Sequence, residues 1–270
     1  MPELPEVETS VRGIRPHCVG QMIKSVIVRQ ARLRWPVAAE LPEKLENKII
    51  ISVTRRGKYL LLNVDDGALM IHLGMSGSLR VIDGEQPIGK HDHIDITLGN
   101  QKTIRFNDPR RFGSFIFNDE GLTHSLLNRL GPEPLTDDFN ADYLYGLCRR
   151  RKVAIKPLIM NSQIVVGVGN IYAQEALFRA SIHPATVTSR IAKVRLARLV
   201  TAIKKVLSEA IASGGSSLKD FTSAEGKPGY FQHTFRVYGR AGEPCVNCDR
   251  PLKQTELGQR TTVYCGYCQR

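Results

Sequence analysis

The opening Met1-Pro2-Glu3-Leu4-Pro5-Glu6 holds the first group of residues that could do chemistry. The small Pro2 predicts removal of Met1, which would leave a free secondary amine followed at once by a carboxylate. An α-amino group has a pKa of about 7.7–8.0, against about 10.4 for lysine, so part of it is an unprotonated nucleophile near neutrality without any burial. After a secondary amine attacks a carbonyl-like carbon, the iminium has no N–H to lose and stays a cationic electron sink. That property suits covalent catalysis by Schiff-base chemistry. Glu3 is placed by the covalent chain to move protons beside that amine. Taken alone, a proline near a terminus is also an ordinary helix-start residue, so the assignment depends on the rest of the chain.

The second group is the tail: Cys245-Val-Asn-Cys248, a spacer, then Cys265-Gly-Tyr-Cys268. Two CxxC pairs at this separation match a four-thiolate zinc site, tetrahedral and closed, hence structural rather than catalytic. Metal would supply folding energy that so short a segment cannot draw from a core of its own. Arg260, between the pairs, could face a phosphate or simply water.

Further along come residues suited to a polyanion. Arg149, Arg150, Arg151, Lys152 and Lys156 form an acid-free basic run, and Arg190, Lys193, Arg195, Arg198, Lys204 and Lys205 form a second. Such runs are solvated helix faces or phosphate-neutralising surfaces. Val166-Gly-Val-Gly-Asn170-Ile-Tyr172 puts glycines before a helix, where backbone N–H groups and the Asn170 amide could hold a phosphate. Met75, in His72-Leu-Gly-Met-Ser-Gly77, sits between glycines in turn context. Asn107-Asp-Pro-Arg110-Arg-Phe112-Gly113 likewise places arginines and an aromatic in a turn. Apolar and arginine side chains on loops of a basic protein are what a duplex wedge needs to fill the gap left by an extruded nucleotide. Lys58, after Arg55 and Arg56, could be a second catalytic amine or a phosphate contact. His91 and His93 lack further ligands nearby, so no metal is expected there. Cys18 and Cys148 are isolated and expected to pack as small apolar residues.

These residues need elements to position them. Val7, Val11 and Ile14 predict a short first helix, limited by Gly13 and Pro16. From Met22 the texture is β: Val26–Val28, Ile49–Ile51, Tyr59–Leu62, Leu69–Ile71, His93–Leu98, Thr103–Phe106 and Gly113–Phe117, separated by Gly and Asp-Gly signals. Short strands at this spacing predict an antiparallel sandwich or barrel. After Gly131-Pro-Glu-Pro134 the chain turns helical, over Ala141–Arg151, Ile155–Asn161, Tyr172–Ala180 and Ile191–Ala212. The fold class expected is α+β: an antiparallel β-sandwich with flanking helices (residues 1–130), a helical domain (131–232) and a zinc ribbon (233–270).

With hydrophobic residues at 42% and charged residues at 24%, the composition excludes a disordered chain. No apolar run approaches the roughly 18 residues of a membrane-crossing helix, so no transmembrane span is indicated. The acidic start is no signal peptide. Four clustered cysteines in an intracellular chain favour metal ligation over disulfides. A net charge of +12, with a pI near 9.6, points to nucleic acid ahead of a membrane surface.

The residues quoted above, with Gly226-Lys-Pro-Gly-Tyr-Phe231, occur in an order that resembles bacterial formamidopyrimidine-DNA glycosylases along the whole chain. The resemblance implies a repair enzyme that removes 8-oxoguanine and ring-opened purines from damaged double-stranded DNA. It also implies a two-domain clamp with DNA in a basic cleft, a helix–two-turn–helix element around Lys156–Ala180, one structural zinc ion, and a monomer in the bacterial cytoplasm, associated with the nucleoid. It implies attack of Pro2 on the sugar C1′, proton movement by Glu3, and β- then δ-elimination at the resulting abasic site. Lys58 and Arg260 are carried over to the two eliminations. An arginine, with a pKa above about 12, is a poor literal proton donor, so Arg260 is read as a phosphate clamp that stabilises the leaving group. Met75, Arg110 and Phe112 are carried over as the wedge, His91, Arg151, Lys156 and Asn170 as DNA contacts, and residues 216–230 as a loop over the everted base. Leu4 and Val7 favour this branch over the related endonuclease VIII branch, which prefers oxidised pyrimidines. A zinc-ribbon protein that recognises damaged DNA without chemistry is the alternative from another class, and Pro2 and Glu3 argue against it.

Overall fold

Eight short strands in the first half of the chain pair into two four-stranded antiparallel sheets. The structure is a computed structural model and describes residues 2–84, 86–119, 123–215 and 234–270. Its contacts divide the chain into two units. Among the described residues, one is the stretch ending at Arg129 with residues 213–215; the other is Leu130–Ala212 with residues 234–270.

In the first unit, helix α1 (Leu4–Cys18) precedes strand β1 (Ile23–Val28) and the short helix α2 (Leu41–Leu45). Strands β2 (Ser52–Arg56), β3 (Tyr59–Val64), β4 (Gly67–His72), β5 (Ser78–Asp83), β6 (Asp92–Leu98), β7 (Lys102–Asn107) and β8 (Ser114–Asn118) follow. The strand orders are β1-β6-β7-β5 and β2-β3-β4-β8, so β4 to β5 and β7 to β8 are both crossings between sheets. Alternate residues of the two sheets meet in one core. Ile94, Ile96, Ile104 and Phe106 come from one, and Leu60, Leu62, Leu69, Ile71 and Phe115 from the other. The rings of Phe106 and Phe115 lie 4.8 Å apart across it, the tilted packing that aromatic quadrupoles favour.

Helix α1 adds Val7, Val11, Ile14 and Cys18 to the same core, a stripe spaced by four, three and four residues. It passes through Gly13 and Pro16 instead of stopping there as its composition predicts. Pro16 falls in the last turn, where only one intrahelical bond is lost, and the buried stripe on either side holds the turn in place. Two further differences from the sequence reading are local. Ile49–Ile51 form no strand, and Ile49 and Ile51 are exposed beside the isolated Met22–Ile49 bridge. The strand lies just beyond, at β2. Strand β5 has no counterpart in the sequence reading, because its burial pattern does not alternate cleanly.

The second unit holds helices α4 (Ala141–Arg149), α5 (Ile155–Met160), α6 (Asn170–Arg179) and α7 (Lys193–Ala212), with the short α3 (Ser125–Asn128) ahead of them in the chain, in the first unit. Leu196, Leu199, Ile203, Val206, Leu207 and Ala210 of α7 are buried, at the spacing that packs one helix face. α7 packs on α4 and α6, and α6 on α5. A hairpin of β9 (Lys253–Glu256) and β10 (Thr261–Tyr264) carries the cysteine-rich tail, and Val237, Cys245, Leu252, Val263 and Cys265 cluster with Phe178 of α6. Among the described residues, no helix is long and apolar enough to cross a membrane.

Because Ile14 is fully buried in the shared core, Ile14→Ala should cost about 3 kcal/mol. Urea denaturation should show a lower midpoint at unchanged slope. A loss under about 1 kcal/mol would mean that α1 is not anchored by this stripe.

Candidate active site and nucleic-acid interface

Pro2 and Glu3 stand directly ahead of α1, and Pro2 is buried. Glu3 is the N-cap of a capping box: the Glu6 carboxylate accepts from the Glu3 N–H at 2.8 Å, a device that satisfies the free N–H groups of a helix start. The spacing Glu3-x-x-Glu6 could have revealed it from sequence. Glu3 and Glu6 are each only 2% exposed, so two carboxylates stand beside Pro2 out of bulk water. Further along α1, Glu8 accepts from Arg55 of β2 at 3.1 Å and from Arg12 at 2.9 Å. Burial alone would raise the Glu8 pKa, but the two guanidinium groups bring it below the usual carboxylate range.

Lys58 lies in the β2–β3 turn after Gly57. Gly57 has a φ of 58°, in the left-handed region that glycine enters without strain. The charge of Lys58 is felt at His72, the end of β4. Burial, with Lys58 and then Arg34 adding to it, holds the His72 imidazole down to about 4. The neutral ring packs edge-on against Tyr59 at 5.1 Å, and its Nδ1 accepts from the Gly74 N–H at 2.9 Å. His72 thereby shapes the loop that carries Met75, which is half-buried.

The neighbouring loop presents Arg110, Arg111 and Phe112 to solvent. Phe112 is 43% exposed, and the Arg110 guanidinium sits 5.0 Å from its ring centroid, within cation–π range. His91 is half-buried just ahead of β6, and its carbonyl accepts from the Asp108 N–H at 3.0 Å. Cys18 and Cys148 are buried, and burial pushes their thiols up to about 12 and about 11, which leaves them unreactive.

In the second unit the structure brings Lys156, Asn170 and the Arg260 hairpin together. Lys156 of α5 is fully buried, and its Nζ donates to Thr262 Oγ1 at 2.7 Å. Its ammonium is thus bound to the hairpin and not displayed on the surface, where the sequence reading places it. Asn170, the first residue of α6, donates through Nδ2 to the Thr261 carbonyl at 3.2 Å, and its Oδ1 is buried with no hydrogen-bond partner. Gln174, one turn on, donates to the same carbonyl at 3.1 Å and accepts from the Val263 N–H at 2.6 Å. Arg260 is therefore held at the hairpin tip by bonds to the residues after it. Arg151 follows α4, with its Nη1 on the Leu147 carbonyl at 2.9 Å, beside the open depression that Arg150 and Tyr143 also line. Gln174 and Glu175 carry no sequence pattern that singles them out. The buried Glu175 carboxylate accepts from the N–H groups of Arg236, Val237 and Tyr238 at 2.9–3.1 Å and so fixes the backbone leading into the ribbon.

The sulfurs of Cys245, Cys248, Cys265 and Cys268 all lie within 4.8 Å of one another. Cys245 and Cys268 are 3.9 Å apart, and Cys248 and Cys265 3.6 Å. A tetrahedral ion with metal–sulfur bonds of about 2.3 Å has sulfur–sulfur edges of about 3.8 Å, so the four thiolates fit a metal. The Cys268 N–H also points at Cys265 Sγ at 3.4 Å.

Comparison with known proteins places the chain. The formamidopyrimidine-DNA glycosylase N-terminal domain matches residues 1–115 and the formamidopyrimidine-DNA glycosylase H2TH domain residues 130–222. The chain belongs to the formamidopyrimidine-DNA glycosylase family. Family members from Alcanivorax borkumensis and Marinobacter nauticus are 56% and 53% identical to it over 270 residues, covering the whole of both chains. Among solved structures, the Thermus thermophilus member matches with a TM-score of 0.89 at 37% identity, over 99% of this chain and 98% of that one. The Lactococcus lactis member bound to DNA containing an abasic site matches at 0.92 and 34% identity, over 99% of each chain. The loop expected to cover the everted base, residues 216–230, lies outside the described residues.

Because its pKa is held below the ordinary value of 6.5, the folded His72 resists protonation while the unfolded chain accepts it. Its contribution to stability is therefore full above pH 6.5 and falls as pH drops toward about 4. Urea denaturation at pH 7.5 and 4.5 should show the parent losing about 2 kcal/mol more than His72→Gln. Equal losses would remove His72 as the cause. Stripping metal with a chelator, or Cys248→Ser, should abolish the one-to-one metal content and duplex binding together. Binding retained without metal would mean that the ribbon folds on its own.

Proposed function

We propose that this protein excises oxidised purines, 8-oxoguanine and formamidopyrimidines, from duplex DNA through a Schiff base at Pro2 and then cleaves the strand as an abasic-site lyase. The reading is carried by the N-terminal edge of α1, where Pro2 precedes two buried carboxylates in a chain of this family. The Lactococcus lactis relative has been seen with DNA containing an abasic site and with DNA containing a benzylated formamidopyrimidine lesion, and that substrate class is extended here to this chain.

With Met1 removed, the Pro2 nitrogen attacks C1′ of the everted nucleotide and the base departs. Glu3 moves the proton as the sugar ring opens. The iminium acidifies C2′–H, so loss of that proton expels the 3′ phosphate, and a second elimination expels the 5′ phosphate. Lys58, one strand away from His72, is assigned to proton transfer in the first elimination. Arg260, at the hairpin tip, clamps the phosphate that leaves in the second. Met75, Arg110 and Phe112 fill the space the nucleotide vacates. His91, Arg151 and Asn170 contact the backbone. Lys156, buried against Thr262, acts on DNA by setting the hairpin rather than by touching phosphate.

The four-cysteine site is assigned to zinc, whose closed tetrahedral thiolate sites are structural. The working unit is a monomer acting on chromosomal DNA in the cytoplasm. Functional domains are drawn at residues 1–130, 131–232 and 233–270.

Borohydride trapping on an abasic duplex tests the nucleophile. The mature protein should trap and should lack Met1 by intact mass, and acetylation of Pro2 should abolish both trapping and scission while duplex affinity survives. Glu3→Gln should slow excision by about a hundredfold. Cleavage of 8-oxoguanine duplexes should far exceed that of thymine-glycol duplexes. Undiminished scission by the acetylated protein would refute the mechanism, and a preference for thymine glycol would refute the substrate assignment.

A further inference from the structure

The register of the two sheets sets the Met75 and Phe112 loops side by side. His72 pairs with Ser114 at the end of β4 and β8, and Ser78 pairs with Asn107 at the end of β5 and β7. Each loop crosses between sheets at the same edge of the sandwich. Their backbones touch: a Cβ on Gly74 would lie 2.4 Å from the Phe112 carbonyl carbon and 2.5 Å from the Gly113 nitrogen. A Cβ on Gly113 would meet the Phe106 ring at 2.5 Å and the His72 carbonyl at 2.9 Å. Neither loop can be reshaped alone without displacing the other.

One side chain binds both. Asp108 is fully buried. Its Oδ1 accepts from Ser76 Oγ in the Met75 loop at 2.7 Å and from the Arg110 N–H at 3.2 Å. Its Oδ2 accepts from the Gly113 N–H at 2.8 Å. The Arg110 N–H also reaches Ser76 Oγ at 3.3 Å. The backbone of Asp108 is held in turn, since its carbonyl accepts from His93 Nε2 at 2.8 Å and its N–H donates to the His91 carbonyl at 3.0 Å. A buried carboxylate satisfied by three donors from two loops is costly to disturb, because any partner removed leaves charge buried and under-bonded.

We propose that Asp108 is a positioning residue that locks the two loops into one rigid wedge, so that Met75 enters the duplex together with Arg110 and Phe112 rather than independently. Asp108 itself touches no reacting atom. Its effect falls on extrusion of the base and not on imine chemistry. The inference rests on the wedge assignment under the proposed function.

The test compares parent, Asp108→Asn and Ser76→Ala proteins. Base eversion is followed by stopped-flow fluorescence of 2-aminopurine beside an 8-oxoguanine, and imine chemistry by borohydride trapping on a duplex already abasic, where no base has to be unstacked. Asp108→Asn should slow eversion and excision about tenfold or more, with trapping on the abasic duplex changed less than about twofold. In the parent, Met75→Ala and Phe112→Ala should be strongly non-additive in eversion rate, and that coupling should collapse in the Asp108→Asn background. Equal slowing of eversion and trapping would reduce Asp108 to a structural role and overturn the proposal, as would an undiminished coupling. If Asp108→Asn does not fold, Ser76→Ala, which leaves the carboxylate and its other donors in place, decides on the same readouts. A parent protein that does not trap the abasic duplex would instead overturn the functional reading, and this inference with it.

Discussion

The proposed function puts the nucleophile at Pro2, and a segment ahead of a domain's first helix is ordinarily poorly ordered, so that amine must be held by something other than its own backbone. Here the restraint is the docking of α1, whose apolar stripe enters the core shared by both sheets. The Glu8–Arg55 pair, at 3.1 Å, ties the same helix to β2. Two residues ahead of so firmly seated a helix there is little freedom left, and the Glu3–Glu6 capping box removes more of it. The pyrrolidine ring of Pro2 adds stiffness of its own, since it ties the amine nitrogen to the side chain. In the proposed mechanism the chemistry thus needs no deep pocket to tune the amine. An α-amino group already titrates near neutrality, and what the fold supplies is orientation and a pair of carboxylates.

The second unit solves a different problem. The ribbon is too small to bury a sufficient core, so it is held by a metal-competent thiol cluster and by polar side chains of the helices. Glu175 gathers three consecutive N–H groups. Gln174 bridges the Thr261 carbonyl and the Val263 N–H, Lys156 reaches Thr262, and Gln269 spans Cys265 N–H and the Ile182 carbonyl. Each such bond contributes about 1 kcal/mol net, and more where a charge takes part. Removing one partner costs more than the bond contributed, since the other stays buried. Helices α5 and α6 are thus the mount for the hairpin tip.

What could be read from sequence was whatever depends on short spacing. The CxxC pairs and the long α7 are local patterns, and the structure brings the four sulfurs together and forms that helix. Misreadings arose where tertiary packing overrode local propensity. Helix α1 runs past Gly13 and through Pro16 because burial of Ile14 and Cys18 outweighs one lost hydrogen bond. Ile49–Ile51 have strand composition, yet two of the three face solvent and the ladder begins only at Ser52. Lys156 reads as one more cation in a basic run, and only the fold reveals Thr262, 106 residues away in the chain, as its partner. Asp108, Gln174 and Glu175 escaped notice for the same reason. Gln174 and Glu175 bond backbone groups 61 to 89 residues away, and Asp108 bonds the Ser76 hydroxyl 32 residues off together with the nearby N–H groups of Arg110 and Gly113. Backbone partners leave no pattern in residue type.

The exposed Phe112 beside Arg110 has a physical rationale in the proposed wedge role. Phe112 faces solvent on a turn, and the Arg110 guanidinium lies over its ring at 5.0 Å, within cation–π range. In the proposed wedge role, that contact would lower the entropy lost on insertion. Net positive charge supplies affinity for any duplex through release of counterions, so affinity alone cannot distinguish damaged from intact DNA. Discrimination has to come from a step that intact, well-stacked DNA resists, and under the proposed function a preformed apolar wedge would convert stacking strength into such a barrier. Rigidity in the loops and selectivity for weakened stacks are consequently one property. A wedge soft enough to adapt to every base pair would bind as well and discriminate less.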